Sequence, residues 1–352
     1  MNIIIVNPFG IGDCLFTTPL IHTLKDNFPK HKLGFLCNKR ASELIKNNPY
    51  VDKLFIYERD EFKRLQEDSW LKWLNAFNGF IGAIKRERFD LAIDLSLAAN
   101  FGFFLWLAGI KKRVGYNYKN RGFYLTDSLK LAGYENRHIV EYYNELPELV
   151  GIKPKYNDLE LYLSGEDKRY ADDFFTSQDI DRNNPVISIA PGGGASWGVE
   201  ARLKRWPEEN FRVLVDKIIE KYRVTIIILG DSSDKELFPI PRAIDLRGRT
   251  TLSQSAALIN RADIFIGNDG GPLHMAVSLR KKTLSFFGPA DPAVYGPYPP
   301  DEGRHIVLRR NLECSPCYRG FRLSPCARNR ECLESIDVSE ALSALDRLLI
   351  NK

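Results

Sequence analysis

Along the whole chain, short apolar runs alternate with longer segments of helical period. In the first half, residues 3–6, 33–37, 53–57 and 89–95 read as buried strands, with 111–116 as a further short one. Helical repeats separate them. Residues 14–28 place Leu15, Leu20, Ile21 and Leu24 on one face and are interrupted early by Pro19. Residues 41–47 form a short helix, and 61–88 one long or broken helix with Trp70, Trp73 and Phe77 on a common side. A buried helix follows the fourth strand as far as Ile110, and 139–150 form a helix that ends at Gly151. Residues 151–181 carry polar and turn-forming residues suited to a linker. The alternation then restarts: strands at 186–190, 224–229, 264–266 and 283–287, with helices at 207–222, 252–261 and 339–349. The pattern allows the last helix to pack on either half. Strands alternating with helices predict an α/β protein with a parallel sheet covered on both faces. Both halves open on similar loops, Val6-Asn7-Pro8-Phe9-Gly10-Ile11-Gly12 and Ile189-Ala190-Pro191-Gly192-Gly193-Gly194. Two Rossmann-like domains, 1–160 and 161–352, facing across a cleft, are the expected architecture.

The stretch 262–276 concentrates this pattern. An apolar strand runs into Asn268-Asp269-Gly270-Gly271, and Pro272 then stands where a helix would begin. In an open α/β sheet, ligands bind beyond the carboxyl ends of the strands, and amides at a helix start favour negative charge. Pro272 removes one such donor. The stretch therefore reads as a phosphate site or as an ordinary strand-to-helix turn capped by Asp269.

Composition narrows the class. The chain has 352 residues, 44% hydrophobic and 27% charged, which suits a folded two-domain protein rather than a disordered one. A net charge of +5 is too mild to imply a nucleic-acid partner. Residues 1–8 lack a basic n-region and an apolar core long enough for export, and 91–110 contain Asp94, Asn100 and two glycines, against a spanning helix. A cytoplasmic protein is expected, at most at the inner face of the inner membrane. Four of six cysteines, Cys314, Cys317, Cys326 and Cys332, fall in one loop. Their spacing is compatible with tetrahedral zinc, with disulfides formed later, or with plain thiols.

Several residues bear on chemistry. Gly10-Ile11-Gly12-Asp13 lacks the third glycine of a dinucleotide fingerprint, and Asp13 would put a carboxylate where a pyrophosphate should sit. Asp13 suits a general base, or a cap for the helix that follows; on its own it reads first as a cap. Lys204-Arg205 beside the glycine-rich loop around Gly192 and Gly193 could neutralise a diphosphate leaving group, or form a solvated turn. Asp231 and Asp234, after a β-branched strand, could accept a ribose hydroxyl or serve as turn residues. His274 reads first as a structural histidine. Basic residues recur in the first half at Lys39-Arg40, Lys63-Arg64, Lys111-Lys112-Arg113 and Arg121.

Taken in order, Gly10-Ile11-Gly12-Asp13 with Thr17-Thr18-Pro19-Leu20, Pro191-Gly192-Gly193-Gly194-Ala195, Lys204-Arg205-Trp206-Pro207, Asn268-Asp269-Gly270-Gly271-Pro272-Leu273-His274 and Phe287-Gly288-Pro289-Ala290-Asp291-Pro292 resemble glycosyltransferase family 9, the ADP-heptose:lipopolysaccharide heptosyltransferases. The resemblance runs nearly end to end. It implies a GT-B fold and inverting sugar transfer without a cofactor or catalytic metal. It also implies a nucleotide-sugar donor such as ADP-heptose in the second domain, and an anionic glycolipid acceptor such as lipid A–inner core in the first. Asp13 then matches the family's base and Lys204 its donor-phosphate lysine. Gly192, Gly193, Asp231, Asp269, Gly270, Gly271 and His274 fall on the donor side, and Gly12, Thr17 and Arg113 on the acceptor side. Ala290 departs from the threonine frequent in the family. A peripheral membrane contact is compatible with this reading: the aromatic run 101–106 could touch a bilayer, though it reads first as a buried helix. Two other readings keep the fold: a nucleotide-sugar epimerase with no acceptor, and a non-catalytic nucleotide-sugar-binding protein.

Overall fold

Strand β1 (Ile3–Val6) and its neighbours β2 (Leu33–Cys37) and β4 (Leu91–Asp94) are buried along their full length, because a parallel sheet covered on both faces has no wet side. The computed structural model describes residues 1–155, 157–192, 198–236 and 242–350. In it these strands join β3 (Lys53–Ile56), β5 (Lys112–Tyr118) and β6 (Asp127–Leu131) in a six-stranded parallel sheet of order β3-β2-β1-β4-β5-β6. A second six-stranded sheet contains β7 (Val186–Ala190), β8 (Thr225–Ile228), β9 (Ile244–Asp245), β10 (Ile264–Asn268), β11 (Lys282–Phe287) and β12 (His305–Arg309). Its order, β9-β8-β7-β10-β11-β12, repeats the first. Each sheet is a doubly wound Rossmann-like sheet, and strand order reverses between β1 and β4 and between β7 and β10. Register there pairs Val6 with Asp94, and Gly267 with Ala190.

The chain divides into two units, residues 1–132 with 139–157, and 133–138 with 158–350. The short excursion belongs to the second unit because Gly133 lies against the Gly320 backbone and Tyr134 meets Phe321 edge-on at 4.9 Å. The terminal helix, Val338–Ile350, also packs on the second unit rather than returning to the first. Ala341, Ala344, Leu345 and Leu348 share a core with Ile187, Ile226, Ile266 and Leu284, and Lys221 pairs with Asp346 at 2.7 Å.

Some expected elements are replaced. The 14–28 repeat is two helices, Ile11–Phe16 and Thr18–Asn27, because Pro19 fits only the first turn of the second. The 61–88 segment breaks at Ser69, whose hydroxyl accepts the Lys72 amide and starts the Trp70–Arg86 helix. The linker read at 151–181 contains a helix, Gly165–Ser177. Its sequence hid it because only Ala171 and Phe175 are buried, yet Ser164 and Asp167 form a reciprocal capping box. Strands β6, β9 and β12 were not foreseen; all lie toward sheet edges, where half-wet strands lose the apolar signal.

Candidate functional site

The switch point of the second sheet gathers most of the expected donor-side residues. Strand β10 ends at Asn268, which is buried and bonded on both sides: Oδ1 accepts the Trp206 amide at 2.8 Å and Nδ2 donates to the Pro191 carbonyl at 2.6 Å. Trp206 is itself fully buried, stacked on Phe286 at 4.1 Å, with its indole N–H on the Ile336 carbonyl. This fixes Lys204, two residues earlier, against Asp269, one residue later. The Lys204 Nζ lies 2.6 Å from Asp269 Oδ2, and both side chains are nearly buried.

Asp269 is not a helix cap. The cap of Gly271–Ser278 is Gly270, which is in extended backbone, and Pro272 follows as the second helical residue. The Asp269 amide is already bonded to the Phe286 carbonyl. The amides of Gly270 and Gly271 are the ones at this corner with no acceptor among the described residues. His274, one turn on, places Nε2 4.0 Å from Asp269 Oδ1. Burial, then His138 and Lys204, hold its imidazole well below the usual histidine range, so it is neutral. His138, from the 133–138 excursion, is likewise pushed down to about 4 by burial; its Nε2 donates to the Gly296 carbonyl at 3.0 Å. No periodicity marks His138, and the sequence reading missed it.

The loop after β8 behaves differently from expectation. Asp231 Oδ1 accepts the amide and hydroxyl of Ser233, a turn of its own. The buried carboxylate that meets the glycine-rich loop is Asp234. A Cβ on Gly192 would lie 2.1 Å from Asp234 Oδ1, so only glycine fits there. Arg205 ties the two loops, with Nε on the Gly192 carbonyl at 2.7 Å and Nη2 3.6 Å from Asp234. Gly193 lies outside the described residues.

In the first unit, Asp13 sits in the first turn of Ile11–Phe16, and the cap there is Gly10, not Asp13. Gly12 precedes it in the same turn and is partly exposed. Thr17 is fully buried; its hydroxyl donates to the Asp13 carbonyl at 2.9 Å and accepts from Asn7 Nδ2 at 2.8 Å. It braces the loop after β1. Arg113 is likewise bonded to backbone. Its Nε donates to the Tyr124 carbonyl at 2.6 Å and its Nη1 to the carbonyls of Ile110 and Lys111, which ties the start of β5 to the segments on either side of it in sequence. Asn38 Nδ2 donates to the carbonyls of Pro8 and Phe9, so the exposed Lys39 and Arg40 follow directly on a residue that touches the Asp13 loop. Asp94 was missed although it ends an apolar strand at the switch point. Burial, only partly offset by bonds from Ser96, raises its carboxyl to about 6.

The four clustered cysteines are free thiols, and burial followed by the other three raises Cys332 to about 11. Among the described residues, no group of three or more His, Cys, Asp or Glu side chains is arranged to hold a metal.

Comparison with known proteins places this arrangement in a family. The sequence model of "Glycosyltransferase family 9 (heptosyltransferase)" matches residues 79–325. Lipooligosaccharide heptosyltransferase 2 of Haemophilus ducreyi is 25% identical over 333 residues, covering 89% of each chain. A family 9 glycosyl transferase structure from Veillonella parvula superposes with a TM-score of 0.82 at 20% identity, over 100% of this chain and 98% of that one. The E. coli ADP-heptose lps heptosyltransferase II structure gives 0.74 at 21% identity, over 99% of both chains. These structures establish the fold of the pair of Rossmann-like units as GT-B.

Two outcomes follow from the geometry. Asn268→Ala orphans the buried Trp206 amide and Pro191 carbonyl, each worth about 1–3 kcal/mol. Urea denaturation should show a loss of roughly 2–5 kcal/mol; a loss within error of an exposed-site control would show that the clasp carries no weight. For Asp94, the folded chain keeps a proton that the unfolded chain releases near 3.8. Its contribution is therefore complete below that value and is lost as pH rises through about 6. Between pH 4 and 8 the wild type should lose roughly 2 kcal/mol relative to Asp94→Asn, which has no proton to release. Parallel pH profiles for the two proteins would contradict it.

Proposed function

The chain belongs to glycosyltransferase family 9, and on that premise we propose that it transfers heptose, or a related sugar, from an ADP-sugar to a lipopolysaccharide inner-core acceptor, with inversion and without a metal. The observation that carries this reading is the buried Lys204–Asp269 pair at the β7/β10 switch point, next to the amides of Gly270 and Gly271. The second unit takes the donor. The diphosphate lies against those two amides and the Lys204 ammonium, which Asp269 holds in place. Asp269 is thus a positioning residue for the lysine, since a second anion would repel the phosphates. Asp234 and Arg205 shape the floor around Gly192, and Asp234 replaces Asp231 as the carboxylate that structures the donor loop. Neutral His274 packs behind Asp269 without adding charge.

The first unit takes the acceptor at the loop after β1. There the acceptor hydroxyl attacks the anomeric carbon as Asp13 removes its proton. A carbon–oxygen bond forms, the bond to the diphosphate breaks, and the leaving ADP carries the electron pair into the field of Lys204. Exposed Lys39 and Arg40, beside the Asp13 loop, supply charge for an anionic acceptor alongside Arg113, whose guanidinium is bonded to backbone carbonyls. The names of relatives support the donor and acceptor classes: one is a lipooligosaccharide heptosyltransferase, another an ADP-heptose lps heptosyltransferase.

Asp13→Asn separates a base from a structural carboxylate. The helix-start role is worth only about 0.3–1 kcal/mol, whereas loss of a base slows transfer on the order of 10²–10⁴-fold. The variant should fold, retain ADP binding by calorimetry, and transfer at least about a hundredfold more slowly. A folded variant with near-normal turnover would leave the base to be found elsewhere. Turnover should also persist in EDTA, because Lys204 and the two amides occupy the place of a divalent cation. Activity abolished by chelation and restored by magnesium or manganese would contradict that part.

A further inference from the structure

Lys204 ends a short 3-10 helix, Gly198–Lys204. Beyond it the chain is fixed by the Trp206 amide on Asn268, and the Arg205 side chain reaches Gly192 and Asp234. Neither contact holds the carbonyls at the end of that helix, where acceptors are left short of backbone donors. The carbonyls on either side of Lys204, those of Arg202 and Arg205, meet one and the same nitrogen. Arg330 Nη1 lies 3.2 Å from each, and its two hydrogens serve one carbonyl apiece. The Arg202 carbonyl also accepts the Arg205 amide, so Arg330 takes its second lone pair.

Arg330 belongs to the loop of clustered cysteines, yet it is set apart from its neighbours. Residues 324–329 are exposed, as are Arg319 and Arg322, whereas Arg330 is half-buried. Its backbone is held on both sides. The amide donates to Cys326 Sγ at 3.2 Å, and the carbonyl accepts the amides of Leu333 and Glu334 at 2.8 and 2.9 Å. Leu333 is fully buried in the core that also contains Trp206. Asn329 and Arg330 both stand in left-handed backbone, at φ 42° and 60°, which a residue with a side chain keeps only where its surroundings impose it. The other arm of the guanidinium, Nη2, is engaged by Glu334. A planar fork held by a carboxylate on one arm and two carbonyls on the other has its direction fixed.

We propose that Arg330 is a positioning residue for Lys204. Asp269 aims the ammonium, and Arg330 clamps the backbone that carries it, so that the lysine is in place when a diphosphate arrives. The guanidinium acts through the lysine and not on the ligand, because both of its arms are occupied. The cysteine loop thus joins the site through Arg330 and not through a thiol. The inference rests on the reading in which Lys204 meets the donor phosphates.

ADP binding by calorimetry in a double-mutant cycle tests it, with thermal unfolding as the check on folding. Lys204→Met should weaken ADP binding roughly tenfold or more. Arg330→Met keeps the length of the side chain and removes its donors. It should weaken ADP binding about fivefold alone, and less than about twofold in the Lys204→Met background. Equal losses in both backgrounds would mean that Arg330 acts independently of Lys204, and would overturn the proposal. So would Arg330→Met that binds ADP as wild type does while Lys204→Met does not; the donor reading would then stand. Lys204→Met with unimpaired ADP binding removes the donor reading and this inference with it. If Arg330→Met fails to fold, Glu334→Ala carries the same cycle: it releases one arm of the guanidinium and leaves its charge. Its loss of ADP binding should likewise disappear without Lys204, and a loss that persists there overturns the proposal.

Discussion

A single buried amide, Asn268, fixes the geometry on which the second unit's chemistry depends. Its two polar atoms are bonded to backbone groups of two other segments, Trp206 and Pro191, so three chain segments meet at one side chain. Buried polar groups of this kind are costly when unpaired, which makes the arrangement close to all-or-none. Because Trp206 is also stacked on Phe286 in the core, the position of the neighbouring Lys204 is set by apolar packing as much as by charge. The site is therefore an extension of the core and not a loop laid over it.

That rigidity matters for how an anion would be received. A lysine free in solvent must be reoriented and desolvated when a phosphate arrives. Lys204 is already nearly buried and already held by Asp269. The pair is formally neutral and His274 beside it is uncharged. In the proposed reading, an entering diphosphate competes with Asp269 for an ammonium whose direction is fixed, the preorganised arrangement that favours charge developing on a leaving group. Within that reading Asp269 contributes by aiming Lys204, and its substitution would act through the lysine.

Much of this frame was legible beforehand, and the reasons for the exceptions are physical. Central strands such as β1, β7 and β10 are apolar along their whole length and could be read directly, and so could the Leu252–Arg261 helix. The Gly165–Ser177 helix was lost because composition was weighed above its Ser164–Asp167 capping signature. At the sites, residue type gave the right neighbourhoods but not the directions of side chains. Thr17 and Arg113 stand in the expected segments, yet their polar groups are turned onto backbone carbonyls. Asp234 and Asp231 differ by three positions in a turn, and only coordinates tell which one is buried against Gly192. His138 was beyond reach, since its place depends on a six-residue excursion that leaves one unit and packs on the other.

The two sheets share one strand order, but their switch points have acquired opposite chemistry. In the second, Lys204 and the amides of Gly270 and Gly271, which have no acceptor among the described residues, lie beyond β10, with the carboxylates of Asp269 and Asp234 turned toward Lys204 and Arg205. In the first, the loop after β1 carries Asp13, and the neighbouring β4 ends in Asp94, whose carboxyl burial holds at about 6. A switch point that places two carboxyls, one of them raised by burial to about 6, is poorly suited to phosphates. Topology made both crevices alike; the side chains placed at each one differ. That division follows from side chains at equivalent ends of equivalent strands, and it supports the proposed reading in which the second unit takes the donor and the first the acceptor.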